Sequence, residues 1–222
     1  MDRLLIFDCD GVLVDSEILE HTVDAEMLAV HGYHRTAQEL LGRFVGISRK
    51  DMYATVFDEL GRPIPADILD VRERTVWSRC ARDLRIVPGV DEALRILSVL
   101  PRCVASSSTP DKLQMKLEIT GLAPWFAPNI FSTALVQRGK PAPDIYLHAS
   151  QAVGVPPERC TVIEDSPHGI AGARAAGMHA IGFGGGAHAT ASLRTQLVDA
   201  GADAVANSMD ELSSLLLAAP PS

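Results

Sequence analysis

The sequence of 222 residues lacks any apolar run that approaches the roughly 20 residues needed to span a bilayer. It also lacks a secretion signal at its first residues, because only four apolar residues separate Arg3 from Asp8. No Walker loop, HExxH or GxSxG motif is present. These absences predict a soluble cytoplasmic protein that belongs to none of the classes those motifs define.

Cysteine and basic residues are also scarce. The four cysteines form no CxxC pair, which argues against a zinc or redox motif. Cys9, Cys103 and Cys160 lie in or beside apolar runs, which predicts buried, reduced thiols. Twenty Lys and Arg against 28 Asp and Glu give a net charge of −8, which argues against nucleic acid and anionic membranes as partners. The charge does not exclude a phosphorylated small molecule, because a few local cations are enough to bind one.

Several short apolar runs end in small or acidic residues, and helical patterns follow them. These runs cover residues 4–7, 103–105, 161–163, 179–181 and 203–206. Because continuous apolar runs suit strands that are buried on both faces, they predict an α/β fold. We expect a Rossmann-like parallel sheet with helices on both faces.

The segment 16–85 shows helical periodicity and charge but no convincing strand. It therefore predicts a small helical domain, inserted into a core formed by residues 1–15 and 86–222. In the core, Thr109-Pro110 and Ser166-Pro167 each combine a capping hydroxyl with a proline at the first helical position, which predicts two helix starts.

Two pairs of acidic residues end apolar runs. Asp8 and Asp10 are two apart, so a strand would turn both to one face while Cys9 points away. Adjacent carboxylates repel one another unless a divalent cation or a shared proton intervenes, and the alternative is a solvated surface turn. The second pair is Glu164 and Asp165, whose oxygens would suit magnesium, although Asp165 could simply start a helix.

Hydroxyl groups and one lysine complete the candidate site. Ser106 and Ser107 precede a predicted helix, and helix N-termini bind phosphate; the alternative is an ordinary polar loop. Lys140 lies in a proline-stiffened loop, which suits a fixed positive charge for phosphate. Lys112 and Lys116 are four apart in a helical pattern, which predicts a solvated face.

These positions resemble, in order, the four motifs of the haloacid dehalogenase (HAD) superfamily, in its phosphatase and β-phosphoglucomutase-like branch. Residues 8–16, DCDGVLVDS, match the first motif, and Ser106 matches the second. Lys140 with its proline matches the third, and residues 164–167 match the fourth. The helical insertion corresponds to the cap that this family carries between its first and second motifs.

The resemblance implies a magnesium-dependent phosphatase that cleaves a small phosphorylated metabolite through an aspartyl-phosphate. Asp8 would be the nucleophile, and Asp10 would act as general acid and then as general base. Ser106 and Lys140 would bind the phosphoryl oxygens. The implied magnesium ligands are Asp8, the main-chain carbonyl of Asp10, Asp165 and, directly or through water, Glu164.

The cap would select the substrate, for which we expect a sugar phosphate or a phosphorylated sugar acid. Residues 46–49 resemble a cap loop of β-phosphoglucomutase, so Arg49 would bind a carboxylate or second phosphate, unless it is a plain surface arginine. Glu17, a further candidate for substrate binding, and Glu20 occupy the neighbourhood where the mutases carry a histidine, which favours a phosphatase.

Two alternatives stay open at this point. His21 is close to the position of the mutase histidine, which keeps a phosphosugar mutase as the second hypothesis. A non-catalytic binding module is the third, although no motif residue is absent. The sequence does not determine the oligomeric state, and the resemblance favours a monomer.

Overall fold

A computed structural model describes residues 3–44, 47–190 and 192–218. The chain divides into two compact units, one formed by Met1–Asp15 with Arg85–Ser222 and the other by Ser16–Leu84. The second boundary lies one residue before the predicted one. Arg85 stays with the core because its carbonyl accepts a 3.0 Å hydrogen bond from the main-chain N–H of Asp15.

The core unit contains a parallel sheet, which confirms the predicted α/β class. Its strands in the described residues are β1 (Leu4–Phe7), β2 (Arg102–Ser106), β3 (Ile130–Ser132), β4 (Cys160–Glu164), β5 (His179–Phe183) and β6 (Ala204–Ala206). The spatial order β3-β2-β1-β4-β5-β6 is that of Rossmann-like sheets. The sequence did not predict β3, which has only three residues.

The order of the strands reverses direction between β1 and β4. From β1 the chain adds β2 and β3 on one side, and it then returns to add β4, β5 and β6 on the other. All four residues of β1 are buried, as the run Leu-Leu-Ile-Phe predicts. In open parallel sheets such a switch point is where ligands bind, beyond the carboxyl ends of the strands.

Helices cover the sheet and pack their apolar residues against it. In the described part of the core they are α5 (Val90–Ile96), α6 (Pro110–Ile119), α7 (Ala123–Phe126), α8 (Asp144–Val153), α9 (Pro167–Ala175), α10 (Leu193–Asp199) and α11 (Met209–Leu217). One buried cluster joins Leu4 and Ile6 of β1 to Ile145 and Tyr146 of α8. All four cysteines are free and buried, which confirms the prediction for Cys9, Cys103 and Cys160.

The inserted unit is helical in its described residues. Its helices are α1 (Ser16–Val30), α2 (Ala37–Arg43), α3 (Arg49–Glu59) and α4 (Ile68–Asp83). It has a hydrophobic core of its own, built around Leu28, Leu40, Tyr53 and Phe57. Across residues 3–44, 47–190 and 192–218, no helix is both long and apolar enough to cross a membrane.

The two predicted helix caps differ in the structure. The Ser166 hydroxyl accepts a 3.1 Å hydrogen bond from the Gly169 N–H and caps α9, as predicted. Thr109 precedes α6 as predicted, but its side chain makes no capping hydrogen bond. The start of α6 therefore depends on Pro110, whose fixed φ angle suits the first helical position.

Candidate active site

The two predicted acid pairs follow neighbouring strands at the switch point. Phe7 of β1 lies beside Ile163 of β4, and the Asp8 N–H donates a 2.9 Å hydrogen bond to the Ile163 carbonyl. Asp8 therefore continues β1 at the same level of the sheet where β4 ends in Glu164. The parallel pairing of the two central strands is what brings together acids that are more than 150 residues apart in the chain.

Asp8 is a buried carboxylate with an ammonium group against it. Its side chain is 9% exposed, and its Oδ1 accepts a 2.5 Å hydrogen bond from Lys140 Nζ. Burial raises the pKa of the Asp8 carboxyl well above its usual value. Lys140 opposes that rise in pKa, whereas the negative charges of Glu164 and Asp165 add to it. The site therefore holds more negative charge than Lys140 alone neutralises.

Lys140 lies between two carboxylates. Its Nζ donates to Asp8, to Glu164 and, at 3.0 Å, to the Ala105 carbonyl, and it lies 5.3 Å from the centre of the Tyr146 ring. Burial acts to lower the pKa of the ammonium group, but the carboxylates outweigh it and the pKa lies well above its usual value. The lysine is therefore a fixed positive charge at the end of β1.

Glu164 has donors on both of its oxygens. Oε1 accepts hydrogen bonds from Lys140 and, at 2.8 Å, from the Tyr146 hydroxyl. Oε2 accepts from the Ser166 N–H at 3.2 Å and from the Ser166 hydroxyl at 2.9 Å. A Cβ atom on Gly169 would lie 1.9 Å from the Glu164 carboxyl carbon, so glycine is required there for the carboxylate to fit.

Asp10 is also paired, and its partners were not predicted. Lys116 Nζ donates to Oδ1, and the Ser108 hydroxyl donates to Oδ2 at 2.8 Å. The prediction that Lys116 lies on a solvated face is wrong, because only 4% of the residue is exposed. Lys116 follows Leu113 by three positions and precedes Leu117, both of which are buried, so it belongs to the apolar face of α6.

Asp165 contacts a histidine from the loop after β5. Its Oδ2 lies 2.9 Å from His188 Nε2. Burial raises the pKa of the Asp165 carboxyl, and His188 opposes the rise while Glu164 adds to it. Gly11 passes so close that a Cβ atom there would lie 1.9 Å from Asp165 Oδ2, and its φ of 76° also favours glycine.

The predicted serines have different surroundings. Ser106 is fully buried, and its hydroxyl accepts a 3.0 Å hydrogen bond from the Ser108 N–H. Ser107 is exposed at the surface of the same loop. In this loop it is the Ser108 hydroxyl that donates to an acid of the site, Asp10.

The predicted cap residues lie together inside the helical unit. Arg49 is 3.5 Å from Glu17, 3.3 Å from the buried Asp24 and 3.0 Å from His21 Nε2. Glu20 is a further carboxylate within 3.8 Å of Arg49. Arg49 is thus part of an ionic cluster rather than an isolated surface residue. Gly46, at the start of the predicted loop, lies outside the described residues.

A magnesium ion fits the oxygen atoms at the switch point. Among the side chains that the structure describes, no three His, Cys, Asp or Glu are grouped so as to hold a metal by themselves. Asp8 and Asp165 are nevertheless two buried carboxylates with raised pKa values, a conflict that a divalent cation relieves. Magnesium requires few protein carboxylates, because it keeps several waters and accepts main-chain carbonyls.

The residues that the sequence missed carried weak but readable signals. Lys116 falls on the buried stripe of α6, where a lysine needs a partner. Tyr146 lies on the buried face of α8, and a buried tyrosine hydroxyl also needs one. His188 follows β5, which is adjacent to β4, and so lies at the same edge of the sheet.

The fold and the site together define a class of hydrolase with a Rossmann-like core, a helical insertion and buried acids at the switch point. A family model described as haloacid dehalogenase-like hydrolase matches residues 3–177. The chain belongs to this family, as the four sequence motifs predicted.

Relatives and solved structures agree with this assignment. A "Probable pseudouridine-5'-phosphatase" from Drosophila melanogaster is 32% identical over 184 residues, 79% of this chain and 79% of the relative. The 6-phosphogluconate phosphatase of Escherichia coli (strain K12) is 28% identical over 81% of both chains. A haloacid dehalogenase-like protein of unknown function from Agrobacterium tumefaciens str. C58 superposes with a TM-score of 0.90 at 44% identity, covering 98% of this chain and 99% of that one. The chain is an enzyme, a phosphoric monoester hydrolase.

Proposed function

We propose that the protein is a magnesium-dependent phosphatase that hydrolyses a sugar phosphate or a phosphorylated sugar acid through an aspartyl-phosphate on Asp8. The kinship with phosphatases supports the reaction, and the relative that acts on 6-phosphogluconate supports the substrate class. One observation carries the proposal: Lys140 Nζ bridges the buried carboxylates of Asp8 and Glu164 at the switch point of the sheet.

In the first step, Asp8 is the nucleophile. Its carboxylate oxygen attacks phosphorus, the bond from phosphorus to the leaving oxygen breaks, and an aspartyl-phosphate forms. Asp10 gives a proton to the leaving oxygen, so that the product departs as an alcohol. Lys140 and the buried Ser106 bind the phosphoryl oxygens, where negative charge is spread in the transition state.

In the second step, the aspartyl-phosphate is hydrolysed. Asp10, now deprotonated, takes a proton from a water molecule that attacks phosphorus. The bond between phosphorus and the Asp8 oxygen breaks, which releases phosphate and restores the Asp8 carboxylate. Asp10 ends the cycle protonated, so protons and charges balance over the two steps.

Asp8, Asp165 and the main-chain carbonyl of Asp10 would hold the magnesium ion. When bound, magnesium neutralises charge on the carboxylates and on the phosphoryl group. Glu164 is assigned a different part, because both of its oxygens already accept hydrogen bonds. It holds Lys140 in position, together with Tyr146 and Ser166.

The proposal is tested by phosphate release from a panel of sugar phosphates and sugar-acid phosphates, with magnesium and with a chelator. Asp8→Asn and Asp10→Asn are compared with the native protein. Asp199→Asn is the matched control, because Asp199 is an exposed acid at the end of α10. We expect release that requires magnesium, is abolished by Asp8→Asn, and is unchanged by Asp199→Asn.

Two results would contradict the proposal. Release that persists in Asp8→Asn would exclude the aspartyl-phosphate. Conversion of β-glucose 1-phosphate to the 6-phosphate without net phosphate release would identify a mutase instead. Radiolabelled phosphate trapped on the native protein, and absent from Asp8→Asn, would support the intermediate directly.

A further inference from the structure

Both oxygens of Asp10 are held by groups from the loop and helix after β2. Lys116 Nζ donates to Oδ1, and the Ser108 hydroxyl donates to Oδ2 at 2.8 Å. Lys116 Nζ also donates to the Ser108 hydroxyl at 3.2 Å. The Ser108 carbonyl in turn accepts a 2.6 Å hydrogen bond from the Ser132 hydroxyl at the end of β3. The Asp10 carboxyl group is therefore fixed from two sides by elements of the core.

Burying the ammonium group of Lys116 at this place costs stability. Only 4% of it is exposed, and on α6 it lies among the buried side chains of Leu113 and Leu117. A buried ammonium group costs stability unless it is paired and hydrogen-bonded. An ordinary helix of this kind would carry an apolar residue at that position, so the lysine is explained by its contact with Asp10 rather than by packing.

We infer that Lys116 is a positioning residue for Asp10. It holds the carboxyl group in the orientation from which the proton passes to the leaving oxygen. Carboxyl oxygens have about four lone-pair sites, so an Asp10 that accepts from Lys116 and Ser108 still has room for that proton. This inference rests on the proposed function, in which Asp10 is the general acid.

A positioning role predicts a dependence on the leaving group that a merely structural role of Lys116 does not. A sugar alkoxide is a strong base and needs a proton in order to leave, whereas p-nitrophenolate is a weak base and leaves without one. The ratio kcat/KM covers the steps up to departure of the leaving group. Loss of Lys116 should therefore lower kcat/KM for sugar phosphates and leave p-nitrophenyl phosphate nearly unaffected.

The test compares Lys116→Met with the native enzyme on two esters, p-nitrophenyl phosphate and the sugar phosphate with the highest kcat/KM in the panel. Because small misplacements of catalytic groups reduce rates up to about 100-fold, we expect a loss of about 10- to 100-fold on the sugar phosphate. On p-nitrophenyl phosphate we expect a change of less than about threefold, since general-acid catalysis is not needed there. Activity on this second ester also shows that the variant is folded.

Matched variants separate positioning from other effects. Lys112→Met removes the lysine one turn earlier on α6 and should change neither ester. Lys116→Arg keeps a cation beside Asp10 and should recover part of the lost activity. Ser108→Ala removes the second partner and should also reduce activity on the sugar phosphate more than on p-nitrophenyl phosphate.

The outcomes are distinguishable. Equal losses on both esters, or no loss on the sugar phosphate, would overturn the role of Lys116. If the loss of activity in Asp10→Asn differs between the two esters and the loss in Lys116→Met does not, only this inference fails. If Asp10→Asn itself affects both esters equally, the acid role in the proposed function fails and this inference fails with it.

Discussion

At the scale of single residues, the positive charge of Lys140 stabilises the buried carboxylates of Asp8 and Glu164. Removing one partner of a buried ion pair leaves an uncompensated charge, so we expect Lys140→Met to lower the free energy of unfolding by about 3–5 kcal/mol at neutral pH. Adding Glu164→Gln should recover part of this stability but none of the activity. Urea denaturation with chelator present, together with phosphate release, measures both effects.

The loss of stability in Lys140→Met should also depend on pH, and the pKa of Asp8 determines the direction. Without Lys140, the pKa of Asp8 in the folded protein lies further above its unfolded value, because the group that opposed the rise is gone. A raised folded pKa means that the folded state binds the proton more tightly, so stability is retained at low pH and lost as the pH rises. The deficit of Lys140→Met should therefore be smaller at pH 5 than at pH 8. Lys50→Met, at an exposed position, should change stability by less than about 0.5 kcal/mol at either pH.

The sequence predicts some residues of the site better than others for a physical reason. Asp8 and Glu164 lie at the ends of apolar runs that are visible in the sequence, so their meeting at one edge of the sheet could be expected. Lys140 was predicted from its proline-stiffened loop and from its resemblance to the third motif. Lys116 and His188 reach the site across space, from a helix face and from a loop, and nothing adjacent to them in the sequence indicates their partners. Ser107 shows the reverse error, because it lies in a promising run of hydroxyls but is exposed.

At the scale of elements, the starts of α6 and α9 offer a matched pair of variants. Loss of a capping hydroxyl costs about 0.5–2 kcal/mol, so Ser166→Ala should fall in that range. Thr109→Ala should change stability by less than about 0.5 kcal/mol, because the Thr109 hydroxyl makes no capping hydrogen bond. Thermal or urea unfolding of both variants measures the difference. Equal losses would mean that the Ser166 cap contributes nothing particular to α9.

The Ser166 hydroxyl also donates to Glu164, so removing this hydroxyl should affect catalysis as well as stability. We expect Ser166→Ala to lower kcat while Thr109→Ala leaves it unchanged.

The sequence predicted some elements better than others. The apolar runs predicted the central strands. β3 has only three residues and follows Pro128, so its sequence is too short to show a strand pattern.

At the scale of the whole molecule, each of the two units has its own core, so damage to one need not spread to the other. In the helical unit, Arg72 on α4 pairs with the fully buried Asp24 at 2.7 Å. Arg79, two turns later on the same helix, pairs at 2.7 Å with Glu26, whose side chain is 54% exposed. The two arginines therefore make ion pairs of similar length in very different surroundings.

We expect Arg72→Met to destabilise the helical unit by about 3–5 kcal/mol, because it leaves the Asp24 charge buried without that partner. Arg79→Met should cost about 0–1 kcal/mol, as exposed ion pairs do. Hydrogen exchange resolves the units: protection should fall in α1 and α4 of Arg72→Met while β4 stays protected. A uniform loss across both units would show that they unfold as one.

The position of β1 in the sheet also has a consequence for how the protein is made. Leu4–Phe7 is synthesised before both of its neighbours in the sheet, residues 102–106 on one side and 160–164 on the other. At about 5–20 residues per second, the second neighbour is synthesised roughly 8–30 s after β1. The helical unit, residues 16–84, is complete well before then. The most apolar strand of the enzyme is thus the one that waits longest for a partner, and for that interval it is the segment of the nascent chain most in need of a chaperone.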